Sequence, residues 1–141
     1  MKLSNKILII AEAGINHNGS ISRAKKMIDI AKKSGADYVK FQIFRPKNLA
    51  IEGAKLASYQ KKNSVIKTQV QLLDKYKLSF SDFRLLYKYA KKKKINFLAT
   101  PFDEESLKFL NRLKVDFIKI SSGEINNLPF LKLIEKTKKK I

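Results

Sequence analysis

The sequence contains no cysteine, which removes disulfide frameworks and thiolate metal sites from consideration. Histidine occurs once, as His17, so no histidine-based metal site can be completed from these residues. As a lone loop histidine it reads as a hydrogen-bonding residue before it reads as a catalyst. No apolar run reaches the roughly 18 residues that a membrane-spanning helix needs. Acid is scarce as well: 12 Asp and Glu stand against 31 Lys and Arg, a net charge of +19. Arginine is the rarer base, since all but Arg23, Arg45, Arg84 and Arg112 of those 31 are lysine. Specific readers of bases and phosphates favour the bidentate arginine fork. Most lysines fall late in helical segments, as in "AKKSG", "YAKKKKIN" and "EKTKKKI", where cations complement the helix dipole. A nucleic-acid-binding module is therefore disfavoured, although the charge keeps it as an alternative.

What is present is enough for one domain over residues 1–141, with 44% apolar content to supply its core. The opening "MKLSNKILIIAEAG" is basic and then briefly apolar, but the run stops at Glu12 and reads as a first strand, not a secretion signal. A cytoplasmic protein without a membrane partner is the expectation. Apolar spacing predicts a helix over 20–34, with Ser20 or Ser22 as N-cap and Gly35 as the stop. "DYVKFQIF" reads as a strand, "SFSDFRLLYKYAKKKK" as a helix with Ser81 at its cap, and "INFLAT" as a strand. "DEESLKFLNRLK" reads as a helix whose Glu104 and Glu105 are first-turn acids, "VDFIKIS" as a fourth strand, and "LPFLKLIEKTKKK" as a helix. Four β-then-α units indicate an α/β fold with a parallel sheet.

Two of these strands share an odd plan: "ADYVKFQ" (36–42) and "VDFIKIS" (115–121) each place a lysine mid-segment. Lys40 and Lys119 fall on the second and fourth strands. In a (β/α)8 barrel, inward side chains of alternate strands lie in one layer. Two like charges buried side by side are costly without an anion between them, so the pair reads as an anion clamp for a small phosphate or carboxylate, the alternative being that one or both lysines snorkel from the sheet face into solvent. Other strand ends carry compatible groups. Glu12 precedes "AGINHNG", Gln42 shares a strand face with Lys40, Thr100 precedes "PF", and the fourth strand runs into "SSGE". Gly14, Gly19 and Gly123 would admit backbone amides to a ligand, or serve turns alone.

The stretches "IIAEAGINHNG", "GADYVKFQ", "FLATPFD" and "DFIKISSGEINNLPFL" resemble, in this order, the N-terminal half of the sialic acid synthase family. That family includes N-acetylneuraminate, legionaminic acid and pseudaminic acid synthases. The resemblance implies about four of the eight (β/α) units of a TIM barrel, a half barrel. It also implies condensation of phosphoenolpyruvate with an N-acyl hexosamine, such as N-acetylmannosamine or its 6-phosphate. It assigns phosphoenolpyruvate binding to Lys40, Thr100, Lys119 and Ser122, and proton handling or hydroxyl orientation to Glu12 and Glu124, with Gln42 beside them. Tyr59, Gln60 and Asn63 would belong to the sugar-side loop. A divalent metal, Mn or Mg, is implied for the complete enzyme. Its histidine ligands, and an antifreeze-like domain, belong to the part of the family beyond these four units. The isolated chain is expected to be inactive, and to be a fragment, a split-enzyme half completed by a C-terminal partner, or a homodimer of half barrels. The nearest enzymatic rival is a phosphoenolpyruvate-condensing aldolase of the kind that makes 3-deoxy sugar acids.

Overall fold

The computed structural model describes residues 7–51, 53–56 and 66–141. Three strands form a parallel sheet in the order β1 (Ile10–Gly14), β2 (Tyr38–Ile43) and β3 (Asn96–Pro101). Between β1 and β2 runs α1 (Ile21–Lys33). Between β2 and β3 run α2 (Pro46–Leu49), α3 (Gln69–Tyr76) and α4 (Phe80–Lys92), and after β3 come α5 (Glu104–Arg112) and α6 (Leu128–Glu135).

The central strand organises the core. Val39, Phe41 and Ile43 of β2 are buried against Ala24 and Ile28 of α1, Phe83 and Leu86 of α4, and Phe97 and Ala99 of β3. Phe41 stacks on Phe97 at 5.6 Å between centroids, while Phe83 and Tyr87 meet Phe97 edge-on. Each fully buried side chain of this size stabilises the fold by about 1.5–3 kcal/mol. A second, smaller cluster joins Leu107 of α5 to Ile118, Phe130 and Ile134. The helix side of the sheet is thus closed by apolar burial. The other side, carrying Tyr38, Lys40 and Gln42, is where β2 exposes its polar chemistry.

The expected fourth strand does not join the sheet. Its backbone groups are engaged elsewhere: Ile118 N–H donates to the Lys140 carbonyl, Lys139 Nζ donates to the Val115 carbonyl, and Lys119 Nζ donates to the Ile120 carbonyl. What remains is an isolated parallel bridge between Phe117 and Lys140. The segment still lies over the polar face of β2, since Tyr38 and Phe117 rings sit 5.3 Å apart and the Tyr38 hydroxyl donates to Asp116 Oδ2 at 2.9 Å. Residues 46–49 and 69–76, left without elements by the sequence reading, are short helices that begin at Pro46 and at the Thr68 cap.

Helix ends follow local chemistry. Ser20, not Ser22, caps α1, its hydroxyl accepting from Arg23 N–H. The cap of α4 is Ser79 in place of the expected Ser81, because only Ser79 has Asp82 three residues on to close a reciprocal capping box. At the other ends, α1 stops on Gly35 at φ 79°, but Lys94, Lys114 and Lys138 take left-handed backbone at φ 56°, 53° and 54°. A side chain in that conformation costs roughly 1 kcal/mol that glycine would not.

The capping difference is directly measurable. Ser79→Ala is expected to lower unfolding stability by about 1 kcal/mol, and Ser81→Ala to change it by less than about 0.5 kcal/mol. Urea unfolding of the two variants beside the parent checks this, and equal losses would restore Ser81 as the cap.

Candidate functional site

The carboxyl ends of the three strands converge on Lys40. In register, Glu12 of β1 lies opposite Lys40 of β2, and Gln42 lies opposite Thr100 of β3. Parallel pairing therefore places these polar side chains on one sheet face, one step apart along the strands. Lys40 Nζ forms an ion pair with Glu12 Oε2 at 2.6 Å and donates to Thr100 Oγ1 at 3.0 Å. The lysine side chain is 12% exposed and that of Glu12 49%, while Thr100 is buried. A mostly buried ammonium is thus held from below by a hydroxyl and from the solvent side by a carboxylate that remains reachable.

Gly14 completes this corner. The register between β1 and β2 shifts after Glu12, and Gly14 adopts φ 55°. A Cβ built there would lie 3.3 Å from Glu12 Oε1, 3.8 Å from Gln42 Nε2 and 4.0 Å from Asn16 Nδ2. The missing side chain therefore leaves room at a point that three polar groups surround. Asn16 was not among the residues singled out in the sequence. Its signal was its place in "GINHNG", directly after the strand end.

The remaining predicted residues stand apart. Lys119 is exposed and turns onto the Ile120 carbonyl, so the two lysines are not paired. Their expected like-charge conflict does not arise, because Glu12 counters Lys40 and water solvates Lys119. Ser122 opens a short 3-10 turn, Ser122–Glu124, and is exposed. Glu124 Oε2 accepts from Asn127 Nδ2 at 2.7 Å, and Asn127 in turn caps α6. Among the described residues, no hydrogen bond or ion pair joins Lys119, Ser122 or Glu124 to Lys40. Tyr59, Gln60 and Asn63 lie outside the described residues.

Sequence reading also missed Asp103, which it took only as part of a helix start. Asp103 is buried, accepts from Ser106 N–H and Oγ, and accepts from Arg45 N–H at 2.7 Å. It ties the loop after β2 to the start of α5, bordering a cavity of about 470 Å³ that Asn48 and Asn127 also line. No three His, Cys, Asp or Glu stand together as a metal site among the described residues. Glu12, the acid at the centre of the corner, is committed to Lys40. Among the described residues these groups do not fit a metal.

Comparison with known proteins supplies a family. A family model described as the NeuB family matches residues 27–141. The N,N'-diacetyllegionaminic acid synthase of Campylobacter jejuni is 52% identical over 137 residues, covering 96% of this chain and 41% of that protein. Human N-acetylneuraminate-9-phosphate synthase is 40% identical over 136 residues, covering 94% of this chain and 36% of its own length. In three dimensions the chain is similar to the crystal structure of an N-acetylneuraminic acid synthetase from Leptospira borgpetersenii. The TM-score is 0.75 at 30% identity, over 97% of this chain and 46% of that one. The chain spans less than half the length of the relatives it matches.

The loop that carries Asn16 is anchored by His17, which is almost fully buried beside Phe41. Its Nδ1 accepts from Gly19 N–H at 3.1 Å, so the ring is neutral with its proton on Nε2, an atom without a partner among the described residues. Burial lowers its pKa below the ordinary value. Gly19 is itself required: a Cβ there would meet the Lys75 carbonyl oxygen at 2.5 Å. A histidine whose folded pKa is depressed binds its proton more readily when unfolded, so its contribution to stability is present above the unfolded pKa and is lost as pH falls below it. Thermal stability is accordingly expected to drop between about pH 7 and pH 5. In His17→Asn, which keeps an acceptor for Gly19 but does not titrate, that slope should flatten. An unchanged slope would remove His17 from the account.

Proposed function

The chain belongs to the NeuB family, and on that footing we propose that it forms the phosphoenolpyruvate-binding part of a nonulosonic acid synthase, built on the first (β/α) units of a TIM barrel. The observation that carries the reading is the Glu12–Lys40–Thr100 junction at the strand ends. An anion approaching this corner would replace Glu12 as the partner of Lys40 and take the Thr100 hydroxyl as a second donor, both charge-assisted contacts of the strong kind. Lys119 and Ser122, exposed beyond the same sheet face, would close over the ligand from the other side. Matched relatives named as legionaminic, N-acetylneuraminate-9-phosphate and pseudaminic acid synthases support the reaction class.

In the proposed reaction, carbon 3 of phosphoenolpyruvate attacks the aldehyde carbon of an N-acyl hexosamine, forming the new carbon–carbon bond. Water adds at carbon 2, and phosphate leaves with its bridging oxygen as the carbon–oxygen bond breaks. Glu12, freed from Lys40 by the incoming anion, becomes a carboxylate beside the reacting end, placed to orient that water or a sugar hydroxyl. Gln42 and Glu124 would position hydroxyls around it. Turnover is proposed for the catalytic unit assembled with the further residues that its longer relatives carry, supplied in the same or a second polypeptide or by a second copy. The chain alone is expected to show little or none.

Binding and turnover should separate cleanly. In calorimetric titration with phosphoenolpyruvate, Lys40→Ala is expected to weaken binding by about tenfold or more, the loss of a charge-assisted contact. Glu12→Gln should instead tighten it, because the competing counterion is gone, while abolishing synthase activity in the assembled unit. Unaltered binding in Lys40→Ala by a folded protein would sink the proposal.

A further inference from the structure

The loop between β1 and α1 leaves its backbone little freedom. Asn16 N–H donates to the Ala13 carbonyl at 3.1 Å, Asn18 N–H to the Ile15 carbonyl at 2.9 Å and Ser20 N–H to the His17 carbonyl at 3.0 Å, so its turns follow one another without a break. Gly14, Asn18 and Gly19 all take left-handed backbone, at φ 55°, 49° and 73°. Within this frame two neighbouring side chains part company. His17 enters the core beside Phe41, while Asn16 stays exposed. Phe41 is the register partner of Gly14, so the imidazole pins the loop to the strand that also carries Lys40 and Gln42.

An imidazole is a poor filler for that space. Its Nε2–H is buried with no partner among the described residues, a loss that a leucine or phenylalanine would avoid. What an apolar side chain could not supply is the Nδ1 acceptor, which takes Gly19 N–H at 3.1 Å and closes the loop on itself. The ring therefore sets the shape of the loop as well as filling the core. Asn16 is the residue whose place depends on that shape. Its Nδ2 lies 4.0 Å from the point a Gly14 Cβ would occupy, and Glu12 Oε1 and Gln42 Nε2 lie 3.3 and 3.8 Å from the same point. The other Glu12 oxygen is on Lys40 Nζ. This carboxylate thus reaches from the ammonium to an opening bordered by two side-chain amides, and no hydrogen bond among the described residues occupies the Asn16 side chain.

Resting on the reading that this corner takes phosphoenolpyruvate, we propose that Asn16 is a further ligand contact, donating from Nδ2 to an oxygen of the anion that displaces Glu12, and that His17 is the residue that positions it. Lys40 supplies charge, and the amide across the opening supplies direction, since a donor on a second element restricts how the anion can lie. His17 touches no ligand. Its influence runs through the Gly19 bond to the loop and so to Asn16.

The test is calorimetric titration with phosphoenolpyruvate, with Lys40→Ala run alongside. Asn16→Ala should weaken binding about tenfold, the loss of one hydrogen bond to a charged group, and leave the melting temperature unchanged because the side chain is exposed. Two His17 variants separate packing from positioning. His17→Leu fills the core but offers Gly19 no acceptor, and should also lose about tenfold. His17→Asn keeps an acceptor but leaves a cavity beside Phe41, and should melt below His17→Leu yet bind better. The double variant Asn16→Ala, His17→Leu should bind no more weakly than either single one, because the two changes remove the same contact. Affinities that follow melting temperature, or losses that add in the double variant, overturn the positioning role. Undiminished binding by Asn16→Ala, where Lys40→Ala still loses it, overturns the contact while the phosphoenolpyruvate reading stands. Undiminished binding by a folded Lys40→Ala removes that reading and this inference with it.

Discussion

An ammonium group on the middle strand of a parallel sheet has few places to go. Both neighbours of β2 are strands and its other face is packed with Phe41, Val39 and Ile43, so Lys40 cannot reach bulk water along the sheet. Leaving that charge uncompensated would cost several kcal/mol. The surrounding architecture meets this constraint locally. Glu12 is in register on one side, Thr100 is one step on along the other, and the shift at Gly14 bends the end of β1 around the pair. The strand alignment and the chemistry of the site are in this sense the same fact, because slipping β1 or β3 by one residue would turn Glu12 or Thr100 to the helix side and strand the charge.

Under the proposed function the same constraint would give Glu12 two roles that depend on what else is present. Without a ligand it is the counterion that makes Lys40 tolerable. With an anion on Lys40 it is a partly exposed carboxylate with no cation to hold, beside Gln42 and Asn16 across the opening that Gly14 leaves. In the proposed reaction one side chain would serve folding and chemistry in turn, because the two demands would not coincide.

Elements with a local chemical signal were legible in the sequence. The α1 spacing, its Ser20 cap and the Gly35 stop all appear in the structure, as do β2 and β3 and the acids at the start of α5. Strand periodicity put Gln42 on the face of Lys40, and the family resemblance grouped Thr100 with Lys40, which the structure brings into hydrogen-bond contact. What failed was information that the local pattern does not hold. "VDFIKIS" has the composition of a strand, yet pairing depends on where its amides find partners, and here they find the Lys140 segment. Composition also could not show that Lys119 would be solvated while its apparent twin is buried, nor that His17 would anchor its loop from within.

Parallel strands with antiparallel helices sort charge along one axis. Helix starts at the site end gather acids, Asp82, Asp103, Glu104 and Glu105, while helix ends at the opposite face gather lysines. Each set complements the helix dipoles it sits on. Much of the net charge of +19 lies at helix ends away from the candidate site, which long-range attraction reaches only through screening salt. Recognition of the proposed anion there would come from the few groups in contact, above all a lysine poised in low dielectric, and not from the protein's overall charge. That separation would let a strongly basic chain hold the proposed small-anion site at one end while keeping a broad positive surface at the other.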